Sequence, residues 1–340
     1  MQIAELTHAD VGSPEFAAFV EGYARDVHYR DPDDPLMTAS SVAPEVVPAD
    51  PLRDYRAWVA HDKFQPLGVA WGLKTSGPDD ALQLYSVDLV VLPEHRGHGV
   101  GTAMARAILE RAEALGQTSL VTYPCASLWS EEGVAFAQKF GLTERGEERC
   151  SRLDASTIDV ELMRQWAEPV EGFRLEQWVG PAPEHLREPW HLAGLAMDDA
   201  PLDDMEYNPH HRGPDEAYTN DCVKQENGLK LYRSLVLSDD GQPAGMTQLI
   251  VHRDRPSVAH QDDTGVLATY RGYGLGRYLK GANILHAMGD NPDMQSVYTY
   301  NAESNPWMLD INVTMGFRPH LNYWIYQGSV ADAARALNPR

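Results

Sequence analysis

The sequence predicts a mixed α/β fold, an α+β arrangement on a mixed sheet, built twice in tandem. Three observations carry this. A glycine word, Arg96-Gly97-His98-Gly99-Val100-Gly101, recurs as Arg271-Gly272-Tyr273-Gly274-Leu275-Gly276, and 271 − 96 gives an offset of 175. Two flanking landmarks keep that offset: Asp88 with Asp263, and Gly141 of KFGL with Gly316 of MGFR. Both words sit between a strand pattern and a helix pattern. A duplicated unit of about half the chain follows, with domains expected over 1–166 and 167–340.

The elements read in order as follows. Tyr55–Leu73 alternates around HDKFQ and predicts a hairpin. Leu82–Leu92 is a strand, then Pro93-Glu94-His95 leads into the first glycine word. A helix over Thr102–Leu115 places Met104, Ile108, Ala112 and Leu115 on one face, and Gly116 stops it. Residues 119–123 form a strand and Glu131–Phe140 a helix. Pro169 and Gly172 interrupt the pattern before FRLEQW restarts a strand. The second copy then repeats the order. Strands over Leu229–Leu237 and Gly245–His252 flank the turn Ser238-Asp239-Asp240-Gly241. Thr264–Thr269 precedes the second word, a helix spans Gly276–Met288, 296–300 is a strand, and Pro306–Met315 is a helix.

At 340 residues the chain suits two cores rather than one. Its net charge of −22 argues against nucleic acid or an anionic membrane as partner, since phosphate neutralisation needs clustered Lys and Arg. The same charge suits a cationic small molecule. No signal peptide is readable at the N-terminus, and apolar runs such as 89–92 are too short to span a bilayer. Cys125, Cys150 and Cys222 form no CxxC pair and read as reduced thiols of a cytoplasmic protein. Cys125 as a nucleophile has no readable histidine partner. His210-His211 with His185 or His191 has no metal-ligand spacing, so no metal is expected. The sequence leaves the oligomeric state open.

A strand ending at a helix N-terminus directs unpaired N–H groups and the positive end of the helix dipole at one spot. Glycine allows unusual dihedrals and close approach of a pyrophosphate, and a leading arginine can donate to a phosphate oxygen. Arg96, Gly97, Gly99 and Gly101, and Arg271, Gly272, Gly274 and Gly276, therefore read as two pyrophosphate cradles. A dinucleotide fingerprint is excluded because Thr102 and Arg277 stand where its third glycine belongs. A P-loop is excluded because no GK[ST] follows.

R-x-x-G-x-G after a strand, with Pro-Glu-His before the first copy, resembles the acetyl-CoA loop of the GNAT superfamily of N-acyltransferases. The preceding hairpin and the strand–helix–Gly-Phe ending match that order. Asn301-Ala302-Glu303-Ser304-Asn305, with Met308, Asn312 and Gly316-Phe317, resembles the last coenzyme-contacting helix of tandem-domain actinobacterial members. The resemblance implies direct acyl transfer from acetyl-CoA or another acyl-CoA to a small amine. It places oxyanion-stabilising backbone near Val91 and near Val266 and Leu267, and coenzyme contacts at Asn301, Asn305 and Asn312. Asp88 and Asp263, eight residues before each loop arginine, are the candidate catalytic carboxylates, suited to binding an ammonium or relaying its proton through water. The acidic run Met197–Glu206, with Asp198, Asp199 and Asp203, falls where relatives line the acceptor cleft.

Many relatives carry a tyrosine four residues before the final Gly-Phe, where it protonates the leaving thiolate. Here the positions hold Ala137 and Asn312, so thiolate protonation is unassigned, with Tyr298 and Tyr300 as possible substitutes. By the 175 offset, Asn301, Asn305 and Asn312 correspond to Ala126, Ser130 and Ala137, which favours the second copy as the catalytic one. The alternative is a coenzyme-binding sensor that no longer catalyses.

Overall fold

Alternating apolar positions in 55–74 and apolar runs around each glycine word become strands, and the 3.6-periodic stretches become helices. A computed structural model describes residues 1–35, 37–50, 53–75, 82–124, 126–207 and 213–337, with the side chains of 126–130 left aside. Cys125, His210 and His211 lie outside the described residues. The first copy contains β1 (Gln2–Leu6), α1 (Pro14–Arg30), α2 (Ala39–Val46), β2 (Tyr55–Asp62), β3 (Gln65–Lys74), β4 (Leu84–Val91), α3 (Val100–Ala114), β5 (Ser119–Thr122), α4 (Ala126–Lys139), β6 (Thr143–Asp154) and α5 (Val160–Trp166). The second contains β7 (Phe173–Val179), α6 (Glu184–Gly194), α7 (Pro214–Glu226), β8 (Leu229–Ser238), β9 (Pro243–His252), β10 (Val258–Val266), α8 (Leu275–Asp290), β11 (Ser296–Ala302), α9 (Pro306–Met315), β12 (Arg318–Ser329) and α10 (Val330–Leu337).

The two compact units are not the two halves of the chain. Unit 1 is formed by residues 1–147, 202–210 and 322–340, and unit 2 by 148–201 and 211–321. The last strand of each sequence copy has been exchanged. In unit 1 the strand order is β1-β2-β3-β4-β5-β12, with Tyr326 opposite Thr122 and Ser329 opposite Ser119. In unit 2 the order is β6-β11-β10-β9-β8-β7, with Ser296 opposite Asp154 and Ala302 opposite Glu148. Side-chain burial explains the exchange. Ile325 packs with Leu84 and Val121, and Tyr326 joins the unit 1 core around Met104 and Leu120. Leu153 is buried with Val297 and Phe317 in the unit 2 core. Helix α5 packs against α8 within unit 2, so residues 148–166 belong to that unit.

In both units the glycine word follows a strand that has just parted from its parallel neighbour. In unit 1, β4 and β5 pair from Leu84–Ser119 to Ser86–Val121 and then separate. In unit 2, β10 and β11 pair from Val258–Ser296 to Gln261–Thr299 and then separate. These pairs also correct the sequence register. Ala259 lies 175 positions after Leu84, but its partner Val297 lies 178 after Ser119 (297 − 119). The second copy has a longer connection before its strand and a shorter helix after it. Asn301 therefore corresponds to Tyr123, not to Ala126, while Asn312 still corresponds to Ala137. Strand β10 also begins at Val258, earlier than the Thr264 that the apolar pattern suggests, because its polar Gln261 is buried inside the sheet.

Candidate active site

Each glycine word folds into the same local geometry. Gly97 and Gly99 have φ of +73° and +81°, and Gly272 and Gly274 have +91° and +79°, the left-handed region where a side chain is strained. A Cβ added at any of the four would meet no atom within 4 Å, so the turns are open on the outside. Gly99 and Gly274 are the N-caps of α3 and α8, and no side chain caps either helix. The first amides of both helices are thus left to a ligand or water. Gly101 and Gly276 pack inward instead: a Cβ there would lie 3.1 Å from Phe136 and 3.2 Å from Ile311. Open turns with uncapped helix amides are a donor set that fits a diphosphate.

The leading arginines have protein partners. Arg96 Nε donates to the Val91 carbonyl at 3.1 Å, and Arg271 Nε to the Val266 carbonyl at 3.1 Å. Their outer nitrogens pair with Glu132 at 2.6 Å and Asp199 at 2.8 Å. Both arginines brace the end of the parting strand, the segment holding Val91, and Val266 and Leu267.

The two aspartates sit alike in sequence and differently in structure. Asp88, two residues past the last β4–β5 pair, accepts from the Tyr123 amide at 3.2 Å and from the Thr122 hydroxyl at 3.5 Å. The carboxylate bridges the gap between the strands. Burial pushes its pKa up to about 6, against the lowering effect of the Tyr123 amide. Strand β4 runs in regular register through this point. Asp263 instead lies in a β-bulge: the β10–β9 register shifts between Gln261 and Thr264. The Gln261 side chain fills the bulge, its amide donating to the Gln248 carbonyl at 2.7 Å and to Thr247 Oγ1 at 3.0 Å. One extra residue re-aims the chain, so Asp262 and Asp263 both reach solvent. The Asp263 carboxyl is raised first by the surrounding protein and then by Asp262, with Lys224 opposing.

A buried network holds Asp262. Arg233 makes two bonds to Asp221 and donates to Gln248 Oε1 at 3.1 Å, and Gln248 Nε2 donates to Asp262 at 2.8 Å. The Arg233 guanidinium also lies 4.8 Å from the Trp190 ring centroid. Sequence reading missed this support because Arg233 and Gln248 look like ordinary strand residues. The Asp262-Asp263 doublet inside a strand was the available signal.

The asparagines are not equivalent. Asn305 caps α9, accepting from the Met308 amide at 3.2 Å. Asn312 is buried, accepts from Lys280 and donates to Asn301 Oδ1 at 2.7 Å. Lys280, 1% exposed on α8, was also missed. Tyr298 is buried between the His260 and His320 rings, at 5.9 and 5.6 Å. Tyr300 is exposed. The acidic run is divided between units. Asp198 and Asp199 end a 3₁₀ turn that packs on β10 in unit 2, where Ala196 closes over Gly265. Asp203 belongs to unit 1 and sits against Gly146, and the neighbouring Asp204 amide donates to the Arg145 carbonyl at 2.8 Å. No group of three or more His, Cys, Asp or Glu side chains suited to a metal occurs among the described residues. No helix among them is long and apolar enough to cross a membrane.

Residues 53–143 match the acetyltransferase (GNAT) domain and residues 195–305 the acetyltransferase (GNAT) family. The chain is a tandem GNAT protein. No curated protein matches its sequence. Among solved structures it resembles a tandem GNAT protein from the clavulanic acid biosynthesis pathway, at 22% identity and a TM-score of 0.77, covering 97% of this chain and 98% of that one. A GCN5-related N-acetyltransferase from Sphaerobacter thermophilus follows at 14% identity and 0.67, over 97% and 95% of the two chains. The glucosamine N-acetyltransferase region of a fungal multi-domain GH3 β-N-acetylglucosaminidase reaches 14% and 0.64, over 96% of this chain and 38% of that one. At such identities the likeness concerns the fold. The two GNAT matches place this chain among the N-acetyltransferases, as an acyl-CoA-dependent N-acyltransferase.

Proposed function

We propose that unit 2 is the transferring unit, and that it moves an acetyl group from acetyl-CoA to a small cationic amine by direct attack. The observation that carries this reading is the bulge: it turns two carboxylates outward on the strand that ends at an open glycine cradle. Backbone amides at Gly272, Gly274 and Gly276 and at the start of α8 would hold the diphosphate. The strand end at Val266 and Leu267, braced by Arg271, would supply the N–H that meets the developing oxyanion. Asp262 and Asp263 would bind the ammonium, and Asp263, with its raised pKa, would pass its proton to water. Proximity supplies much of the remaining rate. Asp198 lies on the neighbouring 3₁₀ turn and adds negative charge to the acceptor side.

Unit 1 has a specific observation favouring a non-catalytic role. Its Asp88 carboxylate is engaged across the strand gap, and its strand lacks the bulge. In that unit Gly97, Gly99 and Gly101 would still form a coenzyme cradle. A cytoplasmic setting agrees with the unbridged thiol of Cys222.

The experiment is thiol release from acetyl-CoA with a panel of polyamines, aminoglycosides and peptide amines, alongside neutral alcohols of similar size. Turnover confined to the amines, and abolished on blocking their protonatable nitrogen, is the expected result. Coenzyme binding without turnover on any amine would instead make this protein a sensor.

A further inference from the structure

Lysine 280 presents a physical problem whose solution points to the chemistry of unit 2. It lies on α8 with 1% of its surface exposed. A buried ammonium without a carboxylate is costly. Its recorded neighbours are the Asn312 amide and the Phe317 ring, 5.6 Å away. Burial alone lowers its titration to about 7, with no charged neighbour contributing. Burial alone would leave such a lysine neutral, and an anion arriving nearby would restore its charge.

The hydrogen bonds say where that anion would sit. In its ammonium form Lys280 has donors only. Asn312 must therefore turn its oxygen to Lys280 and its NH2 to Asn301, and that NH2 donates to Asn301 Oδ1 at 2.7 Å. Asn301 must in turn direct its own NH2 away from Asn312. Among the described residues no protein acceptor takes that NH2. The chain thus has one orientation, and each bond polarises the next. Asn301 stands two residues beyond the last β10–β11 pair, Gln261–Thr299, where the strands part, and it is only half-buried. The corresponding residues of unit 1 are Ala105, Ala137 and Tyr123, which cannot form such a chain.

We propose that Lys280 is a positioning residue for the leaving sulfur, acting through Asn312 and Asn301 to stabilise the thiolate at the parting of β10 and β11. This rests on the reading of unit 2 as the transferring unit. In the transfer, the amine nitrogen bonds the carbonyl carbon and the carbon–sulfur bond breaks with its electron pair left on sulfur. Of the two protons the ammonium loses, one ends on sulfur and one in solvent. Lys280 acts in its ammonium form and keeps that proton through the step; its charge, carried outward by two amides, lowers the energy of the sulfur anion before protonation. The residue thereby fills the vacancy left where relatives carry a tyrosine.

The test is titration of the thiol of bound CoA, followed by thiolate ultraviolet absorbance, in wild type, Lys280→Met and Asn312→Leu. Each substitution should raise the bound thiol's pKa by about 1 unit, a tenfold change in the equilibrium. In steady state kcat should fall about tenfold with KM for acetyl-CoA held within about twofold, the pattern of an interaction made only late in the reaction. Asn312→Leu leaves the lysine in place and decides the matter should Lys280→Met fold poorly. Unchanged thiol titration in both variants, with CoA still bound, overturns this inference alone. Absence of CoA binding by the wild-type chain overturns the proposed function and this inference with it.

Discussion

Unit 1 and unit 2 carry the same cradle and differ in what surrounds the gap beyond it. In unit 1 the gap is tied by Asp88 to the Tyr123 amide, and the adjoining helix positions are Ala105 and Ala137. In unit 2 a bulge turns Asp262 and Asp263 outward, and Lys280, Asn312 and Asn301 line up behind the other strand. One copy uses its aspartate as a brace; the other frees it and spends stability on a buried cation and a charge doublet. A buried cation and a like-charge doublet gathered beyond one of two related cradles are a mark of a working site.

The comparison can be broken most decisively by exchanging the two aspartates for asparagine. Asp263→Asn should lower kcat/KM about 100-fold, the scale of a lost proton-handling group. An equal loss from Asp88→Asn would remove the distinction between the units. The effect of Asp88→Asn belongs in stability. Folded Asp88 titrates at about 6 against an ordinary 3.8, so the folded chain binds more protons between those values. Its contribution favours folding at low pH and is lost as pH rises through about 6; above that the carboxylate costs up to about 3 kcal/mol. Asp88→Asn should therefore be more stable than wild type in denaturant melts at about pH 8, and the gain should vanish near about pH 4.

A valine forced into left-handed backbone costs about 2 kcal/mol, so Gly274→Val should weaken acetyl-CoA binding about 30-fold by calorimetry. Gly99→Val tests the first cradle in the same way. Loss of turnover from Gly99→Val but not Gly274→Val would reverse the assignment of the units. The smallest expected effect is at the exposed Arg271–Asp199 pair. Asp199→Ala should change stability by less than about 1 kcal/mol, because an exposed ion pair is screened. A larger change would mean that Arg271 depends on Asp199 to hold Val266.

Much of this was readable in the chain. The glycine words, the hairpin at 55–73 and the helix over Pro306–Met315 follow from local preference and period. The bulge at Asp262 was not, because a register shift depends on the neighbouring strand. Lys280 was not, because a single lysine between Leu279 and Gly281 reads as a solvent-facing position until α9 covers it. Asn301 was matched to the wrong residue for a different reason. Compensating length changes before and after β11 leave the outer landmarks in step while displacing the strand between them. The bracing bonds of the loop arginines were not legible, because a charged donor beside a phosphate cradle suggests a ligand contact, whereas a strand carbonyl takes its Nε.

The exchange of final strands has a consequence for biosynthesis. Gln327 of β12 bonds Ser119 across 208 positions of sequence. A ribosome must therefore pass residue 329 before the N-terminal unit can close its sheet, and until then β5 presents a raw edge to any passing chain. Severing the gene midway would yield two fragments, each lacking a rib that its counterpart carries, and only their co-expression should restore soluble protein.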